Sequence, residues 1–207
     1  MKKIITILCI LTLLMGVSSA LAKGYNADFV WNKEAEKWSL AINDIVIHGD
    51  SSAVIVDQIA SLLDTKATEY DTNWDIYLAP NKEETYLCGL ENVTPLTRII
   101  PMKDESSSAM SVTLYLEPKK AEQKAADIAA IAAYLVSAYG NPDRVESYNY
   151  DSGDIVSLDL DVTDAEKCAE IVPVTDTDMY WIAFSDDLMI YITTNDIGVS
   201  LTMPFDD

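Results

Sequence analysis

Apolar positions recur at helical spacing in one long stretch of the chain and at period two in many short ones. Ala121, Ala125, Ile128, Ala132, Leu135 and Tyr139 step by four and three, the stripe of a buried helix face. Gly140 and Pro142 supply the C-terminal stop, and Pro118 stands where a helix takes its first residue. A shorter helical run passes through Val54, Ile55, Ile59, Leu62 and Leu63, with Asp50 or Ser51 as its N-cap. Thr163-Asp-Ala-Glu166 has the form of a capping box and predicts a short helix that carries Cys168 and ends near Pro173.

Elsewhere the pattern is that of strands. Trp38–Ile42 and Ile45–Ile47 flank Asn43-Asp44, a hairpin with a two-residue turn. Strands are expected around Trp74–Leu78 and Tyr86–Leu90, and again over Ser111–Leu116. Val145–Tyr150 and Ile155–Val162 flank Asp151-Ser-Gly-Asp154, where Gly153 supplies a positive φ. Met179–Phe184, Leu188–Thr193 and Val199–Met203 complete the set, with turns at 186–187 and 195–198. Few helices and many hairpins predict an α+β fold, a mostly antiparallel sheet with helices packed on one face. Asp104-Glu-Ser-Ser-Ser108 is the one internal stretch with the composition of a linker.

The first residues carry a different pattern. Met1-Lys2-Lys3 is a short basic segment, Ile4–Met15 is almost wholly apolar, and Ala20-Leu21-Ala22 is an A-x-A cleavage site. That is the form of a secretory signal peptide over residues 1–22. The expectation is an exported protein, periplasmic or extracellular, with a single α+β domain over 23–207 and no transmembrane segment once the leader is cut. Its removal takes the formal charge from -20 to -22. So acidic a chain is a poor partner for nucleic acid, whose binding is led by Lys and Arg. The acidity suits basic partners and cations instead.

Composition narrows the chemistry further. A single histidine, His48, leaves little room for His-rich metal sites or for a catalytic triad. Cys88 and Cys168 remain after the leader, and in an oxidising compartment they are expected to pair as a disulfide closing a long loop. Asp151, Asp154, Asp159, Asp161 and Asp164 fall within fourteen residues and are the candidate ligands for Ca²⁺. Their spacing fits no EF-hand, and Asp159 and Asp161 alternate with Leu158, Leu160 and Val162 as the wet face of a strand. Tyr148, Tyr150, Tyr180, Trp181, Phe184 and Tyr191 supply rings to the late strands, either as packing or as a surface for sugars or a protein. Beyond the leader, Lys119, Lys120 and Lys124 form the one basic cluster, at the helix end where the dipole prefers acids.

Ile45-Val-Ile-His-Gly49-Asp50-Ser51, a strand running into Gly-Asp-Ser before a helix, resembles the first block of the GDSL/SGNH hydrolases. That resemblance implies Ser51 as nucleophile. The family's later blocks are missing: there is no Gly-x-Asn-Asp and no closing Asp-x-x-His. Without a base the serine stays a poor nucleophile. The overall plan, a leader followed by sheet and a helix ending in Tyr139-Gly140-Asn-Pro142 before a meander, resembles small bacterial envelope proteins of unassigned role. It implies a non-enzymatic protein that acts on a protein or envelope component. The alternatives are a secreted hydrolase using Ser51, and a cation- or glycan-binding module.

Overall fold

The structure, a computed structural model, describes residues 24–32, 37–65, 68–70, 75–80, 85–102 and 108–206. Residues 1–22, the expected leader, and all of the 104–108 stretch but Ser108 lie outside the described residues. Three helices and thirteen strands are described, eleven of the strands in two mostly antiparallel sheets.

The first sheet has the order β3-β2-β1-β6. It contains β1 (Tyr25–Asn32), β2 (Lys37–Ile42), β3 (Ile45–Val46) and β6 (Thr85–Leu87). Asn43 and Asp44 turn the chain between β2 and β3 with φ of 51° and 65°. Two positive φ values in succession are those of a type I′ turn, whose twist matches the strands it joins. The parallel partner of β1 is β6, while β4 (Thr68–Tyr70) and β5 (Asp75–Tyr77) pair with each other as a two-stranded sheet.

The second sheet is the larger, with seven strands and every pairing antiparallel. Its strands are β7 (Leu96–Pro101), β8 (Ala109–Leu116), β9 (Arg144–Asn149), β10 (Ile155–Ser157), β11 (Asp178–Ala183), β12 (Leu188–Ile192) and β13 (Ile197–Pro204). They stand in the order β10-β9-β11-β12-β13-β8-β7. Register assigns the two faces. Val145, Ile182, Ile190, Val199, Leu114 and Ile99 are directly paired in sequence across the sheet, and all are buried. Helices α1 (Ser52–Leu62) and α2 (Ala121–Tyr139) add Ile55, Ile59, Ile128, Ile131 and Leu135 to the same continuous core.

Local expectations shift at several boundaries. Helix α2 starts at Ala121 with Lys120 as N-cap, so Pro118 precedes it rather than opening it. Ser51 is the N-cap of α1, but its side chain makes no cap bond. Asp164, not Thr163, caps α3 (Ala165–Cys168), its carboxylate accepting from the Glu166 amide at 2.8 Å. Thr163 donates instead to Asp161 at 2.7 Å. Strand β10 ends at Ser157, well short of Val162, although the alternation of burial continues from Leu158 to Val162.

The cysteines are not bonded to each other; both are free and buried. Cys88 lies just after β6, its thiol beside Asp28 of β1, whereas Cys168 ends α3 and donates from Sγ to the Val162 carbonyl at 3.1 Å. They serve as small apolar side chains in different parts of the core, which sequence spacing could not distinguish from a bridge. Lys124 is not part of a surface cluster either. It is buried, and its Nζ donates to the Thr193 and Thr194 carbonyls at 2.9 and 2.6 Å.

Candidate functional site

The face of the large sheet opposite the buried row is built of rings and charges. Glu146, Trp181, Tyr191, Gly198, Tyr115 and Arg98 are paired in that order across six strands. At one end the Arg98 guanidinium sits 4.2 Å from the centre of the Tyr115 ring and is ion-paired with Glu117 and Asp196. Those acids and that ring use up its charge. Tyr115 meets Tyr191 edge-on, and the two hydroxyls are hydrogen-bonded. Burial and the neighbouring hydroxyl hold the Tyr191 phenol far above its ordinary range, so it stays a neutral donor.

Gly198 makes this row possible. A Cβ there would lie 2.3 Å from Cζ of Tyr191, so only glycine lets the ring lie across the strand.

At the other end of the face the rings open to solvent. Tyr148 stacks on Trp181 with centroids 5.6 Å apart and planes 12° from parallel, and Tyr150 meets Tyr148 edge-on at 5.0 Å. Tyr150 is 57% exposed. Beside it lies β10, the outermost strand, with Ile155 58% and Val156 53% exposed. Ile155 pairs with Tyr148 and shares the aromatic face; Val156 points to the opposite side. Solvated apolar side chains of this size, gathered at one sheet edge, are the kind of patch that marks an interaction site. A second exposed set is Ile45, Val46 and Val54, of which Ile45 and Val54 line a groove of about 440 Å³ beside α1 that has no aromatic ring. Of the other late-strand aromatics, Tyr180 pairs with Ser147 and Ile192 and belongs with Phe184 to the core side.

The acidic candidates do not converge. Asp151 and Asp154 sit in the turn between β9 and β10, and Asp164 is spent on its helix cap. Asp161 accepts from the Thr163 hydroxyl and amide, which hold its carboxyl below the usual range. Asp159 and Asp161 line a groove of about 600 Å³ that also holds Arg144, Leu158, Leu160 and Val162. Among the described residues no three His, Cys, Asp or Glu side chains gather as a metal site.

The polar side chains of the Gly-Asp-Ser segment are held by two separate acids. The Ser51 hydroxyl donates to Asp50 at 3.2 Å. His48 turns its Nδ1 to Asp206 at 3.1 Å, and Lys37 holds the other oxygen of Asp206 at 2.9 Å. Lys37 chiefly, with help from His48, keeps that carboxyl below its ordinary range. Serine and histidine thus direct their polar atoms to different acids. Asp206 is 158 residues from His48, and no local spacing announces it.

Among the described residues no helix is long and apolar enough to cross a membrane. Compared with protein-family models, with curated proteins and with solved structures, the chain finds no match in any of the three.

Proposed function

We propose that this is an exported, non-enzymatic α+β protein that works by binding another protein through the open end of its aromatic sheet face. The observation that carries the reading is the joint exposure of Tyr150 and Ile155 beside the Tyr148–Trp181 stack, with Val156 exposed on the other face of the same edge strand. A surface of large rings and branched side chains gives contact area at little conformational cost, which is why such residues dominate protein interfaces. The basic–apolar–A-x-A pattern over 1–22 supports export. The α+β assignment, with helices against the buried face of the large sheet, is supported by the shared core of α2 with β8 and β11–β13. The arrangement around Ser51 and His48 speaks for structure rather than turnover.

The test is affinity capture from envelope extract with the mature protein and with a Tyr150→Ser, Ile155→Ser variant of unchanged melting temperature. A partner held by the first and lost by the second is the expected result. Equal capture by both removes this surface from the function. Ester turnover abolished by Ser51→Ala would replace the reading with the hydrolase one.

A further inference from the structure

We infer that the partner joins as a strand: an extended basic polypeptide segment pairs with the free edge of β10. This rests on the reading above and adds the partner's chemistry and its mode of attachment. Among the described residues strand β10 is outermost in the sheet and pairs on one side only, with β9. The far edge is different, because Leu78 bridges Ile99 of β7 there and both residues are buried.

The register says which backbone groups are free. The Asn149 amide donates to the Asp154 carbonyl at 3.1 Å, and the Leu158 amide to the Val145 carbonyl at 2.8 Å. In an antiparallel ladder bonded pairs alternate, so residues 154, 156 and 158 face β9. Ile155 and Ser157 then turn their N–H and C=O groups outward, the arrangement that accepts an added strand. Natural edges are commonly guarded by Lys or Pro. Neither occurs between Val145 and Glu166, and no Arg does.

That same absence sets the partner's charge. Asp151, Asp154, Asp159 and Asp161 are exposed on both sides of β10, and Arg144, in the groove with Asp159 and Asp161, is ion-paired instead with Glu146 and Asp186. A basic segment is steered to such an edge, and an acidic one is repelled. A Lys or Arg opposite Ile155, on the aromatic face, reaches toward the Tyr148 and Tyr150 rings as Arg98 already does over Tyr115. A second copy of this chain, with a charge of -20, fits the edge poorly.

The probe is a labelled peptide of about ten residues alternating Val and Lys, against its Val–Glu counterpart, followed by fluorescence anisotropy. The Lys peptide is expected to bind at least about tenfold tighter than the Glu peptide and to weaken as salt rises. Ser157→Pro removes one outward N–H without touching a bond to β9. It should abolish peptide binding and leave the melting temperature unchanged. Hydrogen exchange gives a reading that needs no variant: the Ile155 and Ser157 amides of the intact protein should become protected when peptide is added. Equal binding of the two peptides, indifference to a folded Ser157→Pro protein, or unprotected amides would overturn the inference. So would a dimer of the free protein that Ser157→Pro dissolves. If partner capture is lost in the Tyr150→Ser, Ile155→Ser variant but kept in Ser157→Pro, the surface stands and strand addition falls. If neither variant alters capture, the surface falls with it.

Discussion

Replacing Gly198 by alanine tests the construction of the aromatic face with a single methyl group. The backbone at Gly198 does not have a positive φ, so alanine meets no strain of its own there. The obstacle is Tyr191, three of whose ring carbons would lie 2.3, 2.5 and 2.8 Å from the new Cβ. No contact of that length survives, and the ring must leave. Overpacking of this kind costs about 1–3 kcal/mol, and losing the edge-on contact with Tyr115 adds about 0.5–1.5 kcal/mol. The ordinary preference for alanine over glycine inside a strand returns about 0.5 kcal/mol. The net loss is about 1–4 kcal/mol, a fall in Tm of roughly 2–16 °C for a chain of this size. Differential scanning calorimetry on Gly198→Ala, on Tyr191→Ala and on the double variant closes the cycle. In the Tyr191→Ala background the same substitution should become neutral or stabilising, because the obstacle is gone. An unchanged Tm in the wild-type background, or an equal loss in both, would refute the reasoning.

Two further outcomes follow from buried groups. Asp127 of α2 is fully buried; Gln123 donates to Oδ1, and Oδ2 has no hydrogen-bond partner among the described residues. Burial raises its pKa, with hydrogen bonds from Thr94 and Gln123 working against the rise. A raised pKa means that the stabilisation is complete below the unfolded value and lost as pH rises through the folded one. Asp127→Asn should therefore gain on the order of 1 kcal/mol in urea unfolding at neutral pH and lose that advantage toward pH of about 3; an advantage that grows on acidification would contradict this. For the cysteines, burial pushes the thiols up, that of Cys168 to about 12, so neither should alkylate in the native protein. Unfolding without reductant should expose Cys88 and Cys168 to labelling together, read by intact mass, and an unlabelled pair would mean a disulfide.

What the sequence disclosed was mostly local. The stripe from Ala121 to Tyr139 and the Asn43-Asp44 turn are set by neighbours a few residues away, and both are found as expected. Strand β7 escaped notice because its register shifts between Leu96 and Arg98, which breaks the period of two that reveals a strand. Boundaries moved where two residues compete for one task, as Thr163 and Asp164 do for a single cap. The candidate surface is half legible: alternation alone puts Tyr148 and Tyr150 on one face, but that Trp181 and Tyr191 join them depends on pairing with β11 and β12. Lys124 looked like a solvated charge because its acceptors, the carbonyls of Thr193 and Thr194, lie some seventy residues on. Backbone acceptors leave no trace in composition.

The sheet order carries a consequence for how the chain is made. Strands β8 and β9 are joined through α2, yet β13, β12 and β11 stand between them in space. As synthesis proceeds from the N-terminus, the β7–β8 pair and the β9–β10 pair emerge first, each with an inner edge whose partner is still unmade. Both edges stay open until residues 178–204 arrive and fill the gap. Closure over that separation is slow, since loop entropy is lost before the contacts repay it. Through that interval the nascent chain presents unpaired strand edges and uncovered apolar rows, the species most prone to aggregate.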